Sequence, residues 1–551
     1  MKILDKSRLL CYNKGILIRT RKGFIMQLLE QLLAENQALK VQLEQQEVKL
    51  KKLEALNDYY LEMFKLSQKQ KFGASSEKAP ENQLTIGDVF SDMFNEVETL
   101  QEAIMPEPTE ETVIPKHTRK KAKRGSKFDT LATETIHYDL SEEEKTCDVC
   151  GEQLTEMKTE VRKELIIIPA QVKVVEHITH TYSCRPCDKE GLGGFIKTAP
   201  TPKALIAKSV VSPSLLAYIL NQKYTNAMPL YRQEQEFKRF GIQLTRQNLS
   251  NWTLKGATLL KPLVAQLKAS LLTNDLLHAD ETTLEVLREP DKEATSKSYM
   301  WVYRTSHATE HPVVLYDYQK GRAAVYVKEY LKAWQGTYLH CDGYQGYKLL
   351  TQATLCGCLI HAKRKFHEAW KVNPQNEAAK RAEGFIQKLF SLENRADALQ
   401  MSYDKRFELR QNESKEVLDD FYTYLESLKP TTLPQSLLGK AINYAENQKE
   451  YLSNFLKDPR IQLSNNLAEQ SVKPFVIGRK NWLFANTPNG ATSSAIIYSV
   501  IQTALANHLK PWHYLTYVFE QLQLNQNVPV EDLLPWSDKI PESCKNDLPQ
   551  S

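Results

Sequence analysis

At 551 residues the chain is too long to fold around one hydrophobic core, and its length suits roughly three to four domains. Hydrophobic content of 42% and charged content of 25% are ordinary globular values, and no apolar run approaches the roughly 20 residues of a membrane span. The net charge of +5 is mild, so a nucleic-acid reading must rest on where the basic residues cluster. The first 24 residues are basic with only short apolar runs, which argues against a secretory signal and for a cytoplasmic protein with no membrane partner.

Residues 1–25 read as a basic extension without a structural role. From Ile25 to Ser67 there is no Gly or Pro, and the stretch reads as one long helix, assigned to residues 26–70. Leu29, Asn36, Leu43, Leu50, Asn57 and Phe64 fall at heptad position a, and Ile25, Leu32, Leu39, Gln46, Leu53 and Tyr60 at d. That is a coiled-coil register, with Asn at two a positions to fix register and strand number, and it predicts a homo-oligomer. Residues 71–130 read as a linker, acidic over 81–113 and then basic at Lys116, Arg119, Lys120, Lys121, Lys123, Arg124 and Lys127. Such a run is either a solvated linker or a phosphate-contacting arm.

Residues 131–200 read as a zinc-binding domain. Cys147 and Cys150 form one C-x-x-C pair and Cys184 and Cys187 a second. Two such knuckles make a closed tetrahedral four-thiolate site for one structural Zn2+, with ELIIIPAQVKVVEHITHTY as two strands turning at Pro169 to bring the pairs together. His177 and His180 are then surplus, because four thiolates close the shell. Cys11, Cys341, Cys356, Cys358 and Cys544 read as ordinary thiols.

Residues 201–270 read as a helical DNA-binding domain. PLYRQEQEFKRFGIQLTRQNLSNW has helix-turn-helix punctuation: a polar helix, Gly241 at the turn, a Thr245 N-cap and a short second helix ending at Trp252. That second helix offers Arg246, Gln247, Asn248 and Asn251 to base edges in a major groove.

From residue 276 the pattern changes to strands. LLHADETTLEVL, YMWVYRT and HPVVLYDY read as three successive strands, then a helix, a strand TYLHCDGYQGY ending on an acid, and a fifth strand leading into a basic helix. This is the order of an α/β ribonuclease-H-like sheet, over 271–371 plus 457–510, with a helical insertion over 372–456 and a C-terminal segment over 511–551. Asp280 lies in the first strand and Asp342 at the end of the fourth, its neighbour in the sheet. Glu469, on a later helix, completes a carboxylate triad suited to two Mg2+ or Mn2+ ions and in-line displacement at phosphorus. Glu281, Asp275, Asp317 and Glu285 are the nearby alternatives, and Glu281 is expected on the opposite strand face from Asp280. Lys473, one turn after Glu469, and the Arg479–Lys480–Trp482 segment suit a phosphate-facing surface.

HADET, CDGYQGY, HAKRKF and NNLAEQSVKPFVIGRKNWLF resemble the transposases of the insertion sequence 66 family. The likeness extends to the two C-x-x-C pairs, the SSEK stretch and PWHYLTYV, and so covers nearly all of the chain from Met26 onward. It implies a bacterial, nucleoid-associated DDE transposase with Asp280, Asp342 and Glu469 as metal ligands. Terminal inverted repeats and target DNA would be its partners, together with small accessory proteins of the same element. It also implies a basic helix beside the site with His361, Lys363, Arg364 and Lys365, and a basic residue at Lys473. Two departures stand out: Gln470, where the family usually has arginine, and Leu359–Ile360 in place of Trp-Ala. The competing readings are a non-catalytic zinc-containing DNA-binding regulator and a metal-dependent nuclease without strand transfer.

Overall fold

A computed structural model of the chain describes residues 4–72, 172–183, 196–200, 202–525 and 527–546. Two compact units are present, residues 1–73 with 175–551 forming one and 74–174 the other. Of the second unit only residues 172–174 are described.

The leading helix α1 spans Leu4–Phe72, so it begins well before Met26 and takes in most of the expected extension. Gly15 and Gly23 do not stop it, since each costs only about 1 kcal/mol in a helix. The heptad residues Leu29, Leu32, Leu39, Leu43, Leu50, Leu53, Tyr60 and Phe64 are each more than half exposed. On another face Glu62 is buried and accepts a hydrogen bond from the Leu437 backbone N–H (3.0 Å), while Lys65 donates to the Val372 carbonyl (3.2 Å).

Cys147, Cys150, Cys184 and Cys187, the expected zinc ligands, lie outside the described residues. Residues 172–180 carry no regular structure, so the expected return strand is mostly absent there. A short strand β1 (Thr181–Ser183) pairs instead with β2 (Ile196–Thr198), beyond the second cysteine pair.

Helices α2 (Pro213–Tyr224), α3 (Leu230–Arg239) and α4 (Arg246–Leu272) follow. The α3–α4 turn has Gly241 at φ +78°, a conformation glycine adopts without strain, and Thr245 caps α4 by accepting from Asn248 N–H (3.3 Å). The second helix does not end at Trp252. Its apolar residues Leu260, Leu263, Leu267 and Leu271 stay buried, so packing carries it on to Leu272, through Pro262.

The core is a five-stranded mixed sheet in the order β5-β4-β3-β6-β7. Strands β3 (Leu276–Glu285), β4 (Lys297–Thr305) and β5 (Val314–Gln319) are antiparallel neighbours. After helix α5 (Ala324–Tyr330), β6 (Tyr338–His340) and β7 (Thr354–Cys356) run parallel to β3. Met300, Trp301, Val302 and Tyr303 of the central β4 are fully buried. The outer edge of β5 would expose unpaired backbone groups. Buried Ser499 and Thr503 of the later helix α13 (Pro488–Ala506) cover it, accepting from Tyr316 N–H (2.8 Å) and Val314 N–H (3.0 Å).

Helix α6 (Leu359–Val372) leads out of the sheet into α7 (Glu377–Ala398), α8 (Tyr403–Leu409), α9 (Lys415–Leu428), α10 (Leu437–Asn447) and α11 (Lys449–Ser453). These share an apolar core around Phe366, Ile386, Leu389 and Phe421. The chain then returns as α12 (Asn466–Trp482), α13 and α14 (Pro511–Leu524). None of the described helices is long and apolar enough to cross a membrane.

Arg410 fixes the exit of the helical insertion. Its guanidinium is buried, grips both oxygens of Glu393 at 2.8 Å, and donates to the carbonyls of Phe455 (2.8 Å) and Asp458 (2.9 Å). Removing one partner of such a pair strands the other charge. Arg410→Ala is therefore expected to cost about 3–5 kcal/mol of unfolding free energy, read from urea denaturation.

Candidate active site

Strand β3 places Asp280 in mid-sheet, where Asp280 Oδ1 accepts from the Glu281 N–H (2.8 Å). Strand β6 stops at His340, and the chain turns through Cys341, Asp342 and Gly343, with Asp342 Oδ1 accepting from Tyr344 N–H (2.9 Å). Glu469 sits in the first turn of α12, at the positive end of the helix dipole. The three carboxylates converge. Burial and then the charges of Glu281, Asp342 and Glu469 push the Asp280 carboxyl well above the usual carboxylate range. Glu469 Oε1 is buried and accepts no hydrogen bond.

Cations ring this cluster. Arg364 lies 3.6 Å from Glu469 Oε2, and His361 Nδ1 lies 3.8 Å from Glu469 Oε1. Burial pulls the His361 pKa down, but Cys358, Glu469 and Asp342 together hold it up at about 9. Cys358, His361 and Glu469 bring their ligand atoms within 4.8 Å of one another. Arg322 bridges Glu281 (2.5 Å) and Asp342 (3.8 Å) while lying over the Tyr344 ring (4.0 Å). A crowded set of oxygen donors with one carboxylate oxygen unpartnered fits hard divalent cations, and Asp280, Asp342 and Glu469 are placed to hold them.

Helix α12 is fastened to the sheet along its length. Ser471 accepts from Arg304 Nη1 (3.0 Å) and its carbonyl accepts from the Tyr316 hydroxyl. Arg479 Nη1 donates to Thr282 Oγ1 (3.3 Å), Thr283 Oγ1 (3.0 Å) and the Thr283 carbonyl. Arg479 thus binds β3 and is half-buried. Gly478 explains the close packing here: a Cβ would lie 2.1 Å from Trp482 and 2.4 Å from the Tyr498 hydroxyl. Trp482 accordingly packs edge-on against Tyr224 (6.1 Å between centroids). Lys473 is half-exposed, and Gln470 and Lys480 are exposed.

The remaining basic-helix residues divide. Lys363 donates to Gln387 (2.5 Å), and Lys365 lies over the Tyr444 ring (4.9 Å). On α4, Arg246, Gln247, Asn248 and Asn251 are all exposed. Arg246 pairs with Glu234 (3.3 Å), Gln247 donates to Asn251 (2.9 Å), and Asn248 and Asn251 line an open cleft of about 590 Å³ facing residues Ile206–Val210.

Glu281, one of the alternative acids, is buried. Its carboxylate accepts from Arg322 Nε (2.7 Å) and the Tyr347 hydroxyl (2.6 Å). Asp275 pairs with Arg460 (2.6 Å), away from the cluster. Cys358 is a free, buried thiol, as its sequence context suggests.

A model described as Transposase IS66 family matches residues 208–493, more than half of the chain. The chain belongs to the IS66 transposase family. Further models match as the zinc-finger binding domain of transposase IS66 (residues 144–188, spanning all four cysteines), the IS66 C-terminal element (499–536) and Transposase C of IS166 homeodomain (60–136). This IS66 member is similar to two uncharacterized proteins of Sinorhizobium fredii. With y4hP it is 28% identical over 445 residues, 77% of this chain and 78% of the relative. With y4jD it is 30% identical over 422 residues, 73% and 80% respectively.

Burial and then Asp342 raise the Glu281 carboxyl to about 7, against the opposing pull of Arg322 and Tyr347. The folded state therefore holds this proton more tightly than the unfolded chain. Its contribution to stability is full below about pH 4.5 and is lost as pH rises to about 7. In metal-free protein, Glu281→Gln is expected to show a smaller fall in urea midpoint between pH 5 and pH 7.5 than the unsubstituted chain. An equal fall would assign the slope to other groups.

Proposed function

We propose that this IS66 transposase is a DDE enzyme that cleaves DNA at the ends of its element and joins the freed 3′ hydroxyl to target DNA. The observation that carries the reading is the convergence of Asp280, Asp342 and Glu469 from a mid-sheet strand, a strand end and a distant helix onto one partly buried spot. The strand order, with three antiparallel strands followed by two parallel ones, supports a ribonuclease-H-like core.

Two Mg2+ or Mn2+ ions, when bound, supply Lewis-acid stabilisation of the attacking and leaving oxygens. Asp280, Asp342 and Glu469 hold them, and β3 and α12 keep those carboxylates close despite their repulsion. In the first reaction a water oxygen bonds to phosphorus and the element's 3′ oxygen leaves. In the second that 3′ hydroxyl bonds to a target phosphorus and a target 3′ oxygen leaves. Neither requires a protein nucleophile. Arg322, His361, Arg364 and Lys473 place positive charge beside the carboxylates, where a phosphodiester must lie. Arg246, Gln247, Asn248 and Asn251 read the terminal repeats, assisted by the zinc segment with Cys147, Cys150, Cys184 and Cys187 as ligands. The exposed heptad face of α1 pairs chains, and small accessory proteins of the same element join them at the nucleoid.

Asp280→Asn removes one charge with little change in shape, so it is expected to abolish end cleavage and joining in Mn2+ while repeat binding stays within about twofold. Cleavage by that variant at the normal rate would sink the triad assignment. Chelation of zinc is expected to abolish repeat binding and to loosen residues 144–188 toward protease. Undiminished binding by the zinc-free protein would remove the structural role of the four cysteines. Products carrying target strands would separate a transposase from a nuclease that only cuts.

A further inference from the structure

The segment that returns the chain to Glu469 is pinned from both sides. The Gln462 carbonyl accepts from His340 Nε2 (2.9 Å), and the Leu463 carbonyl accepts from the Leu359 N–H (2.9 Å). Asn465 is fully buried and uses every face of its peptide and side chain. Its Nδ2 donates to the Ala279 carbonyl (2.8 Å), which orients the amide and leaves Oδ1 to accept from His278 Nδ1 (3.1 Å). His278 therefore carries its proton on Nδ1. The Asn465 N–H donates to Cys358 Sγ (3.3 Å), and its carbonyl accepts from the Glu469 N–H (3.1 Å).

Those partners lie next to each part of the site. Ala279 immediately precedes Asp280. Cys358 is the residue from which α6 starts, and α6 carries His361 and Arg364. His278 stacks on His340, with centroids 5.0 Å apart and planes 8° from parallel, and His340 lies two residues before Asp342. Strand β6 pairs with β3 only as far as His278, so the Asn465 amide makes the next contact along β3 once β6 has left it.

We infer that Asn465 is the positioning residue that sets the separation of Glu469 from Asp280 and Asp342, and with it the affinity of the site for its divalent cations. It touches no substrate and acts through the backbone at Ala279 and Glu469. The inference rests on the carboxylate reading proposed above. A serine at 465 is too short to reach both Ala279 and His278, and an aspartate turns the donor facing the Ala279 carbonyl into an acceptor.

The test measures Mn2+ binding by titration calorimetry on the full chain, beside end cleavage and repeat binding. Asn465→Ser and Asn465→Asp are expected to weaken Mn2+ binding about tenfold or more and to slow cleavage at a fixed Mn2+ concentration. Repeat binding is retained, and part of the cleavage rate returns at high Mn2+. A purely structural role would lower the melting temperature yet leave Mn2+ affinity unchanged in the folded protein, and that result overturns the inference. Should both variants fail to fold, His278→Leu, which leaves Asn465 Oδ1 without its donor, is expected to weaken Mn2+ binding, and His278→Gln, which restores an amide donor, to recover most of it. Unchanged affinity in His278→Leu overturns the inference equally. Asp280→Asn serves as the reference. If it binds Mn2+ and cleaves normally, the carboxylate reading itself has failed. If it does neither while the Asn465 variants behave normally, only the positioning role has.

Discussion

Four carboxylates, Asp280, Glu281, Asp342 and Glu469, are held close enough that burial and their neighbours' charges raise the proton affinity of Asp280 and Glu281, and the rest of the unit is organised around that repulsion. At an effective dielectric of about 20, two like charges 4 Å apart repel by about 4 kcal/mol. Such a cluster persists only where stiff elements impose it and cations relieve it. The sheet supplies stiffness through the buried Trp301–Tyr303 stretch of β4 against β3. Arg322 relieves Glu281 and Asp342, and Arg364 and His361 relieve Glu469. Glu281 is thus the structural member of the set, neutralised from within the protein. Asp280 has no such cationic partner among the interactions described, and burial beside the other carboxylates holds its carboxyl well above the usual range.

The distance in sequence between Asp342 and Glu469 is bridged by helices that take part in the site. Helix α6 is at once the first helix of the insertion, through Phe366, and a wall of the site, through His361 and Arg364. At the far end, Arg410 ties the insertion's π-turn to the carbonyls of Phe455 and Asp458, four residues before Gln462 begins the pinned return. The insertion therefore delivers Glu469 along a fixed path. Disturbing its core should be felt at the carboxylate cluster through Asn465, although none of the insertion's own carboxylates belongs to it.

Short apolar, aromatic-rich runs between turn signals made the sheet legible, and in β3 burial is nearly continuous from Leu276 to Leu284. Asp280, Asp342 and Glu469 stand out in the sequence because acids inside a strand, just past a strand end and at a helix start interrupt an apolar pattern. What stayed hidden depends on partners far away in sequence. Arg479 sits in a basic, aromatic stretch that reads equally well as a phosphate surface, and only Thr282 and Thr283, nearly 200 residues earlier, show that it ties α12 to β3. Glu281 reads as a surface acid until Tyr347 and Arg322 are brought over it. Cys358 and Asn465 carry no charge, and their surroundings come from groups far apart in sequence: Ala279 and His278 for Asn465, and the Asn465 N–H for Cys358. The length of α4 was missed because polar residues after Trp252 mask a leucine stripe that α13 and its neighbours bury.

Helix α1 combines two kinds of contact on different faces. Glu62 and Lys65 fall at f and b of the heptad, on the side away from the a and d seam. There Glu62 meets the positive end of α10 and Lys65 the negative end of α6, each charge complementing a helix dipole. Because these positions differ from a and d, docking of α1 on the catalytic unit leaves the Leu-rich seam exposed. Chain pairing through that seam, as proposed, would therefore not compete with docking. Since α6 also carries His361 and Arg364, one helix separates the contact made by Lys65 from the cations beside Glu469. Any pairing of chains that stiffens the C-terminal turns of α1 would hold α6 more firmly in the register that the carboxylate cluster requires.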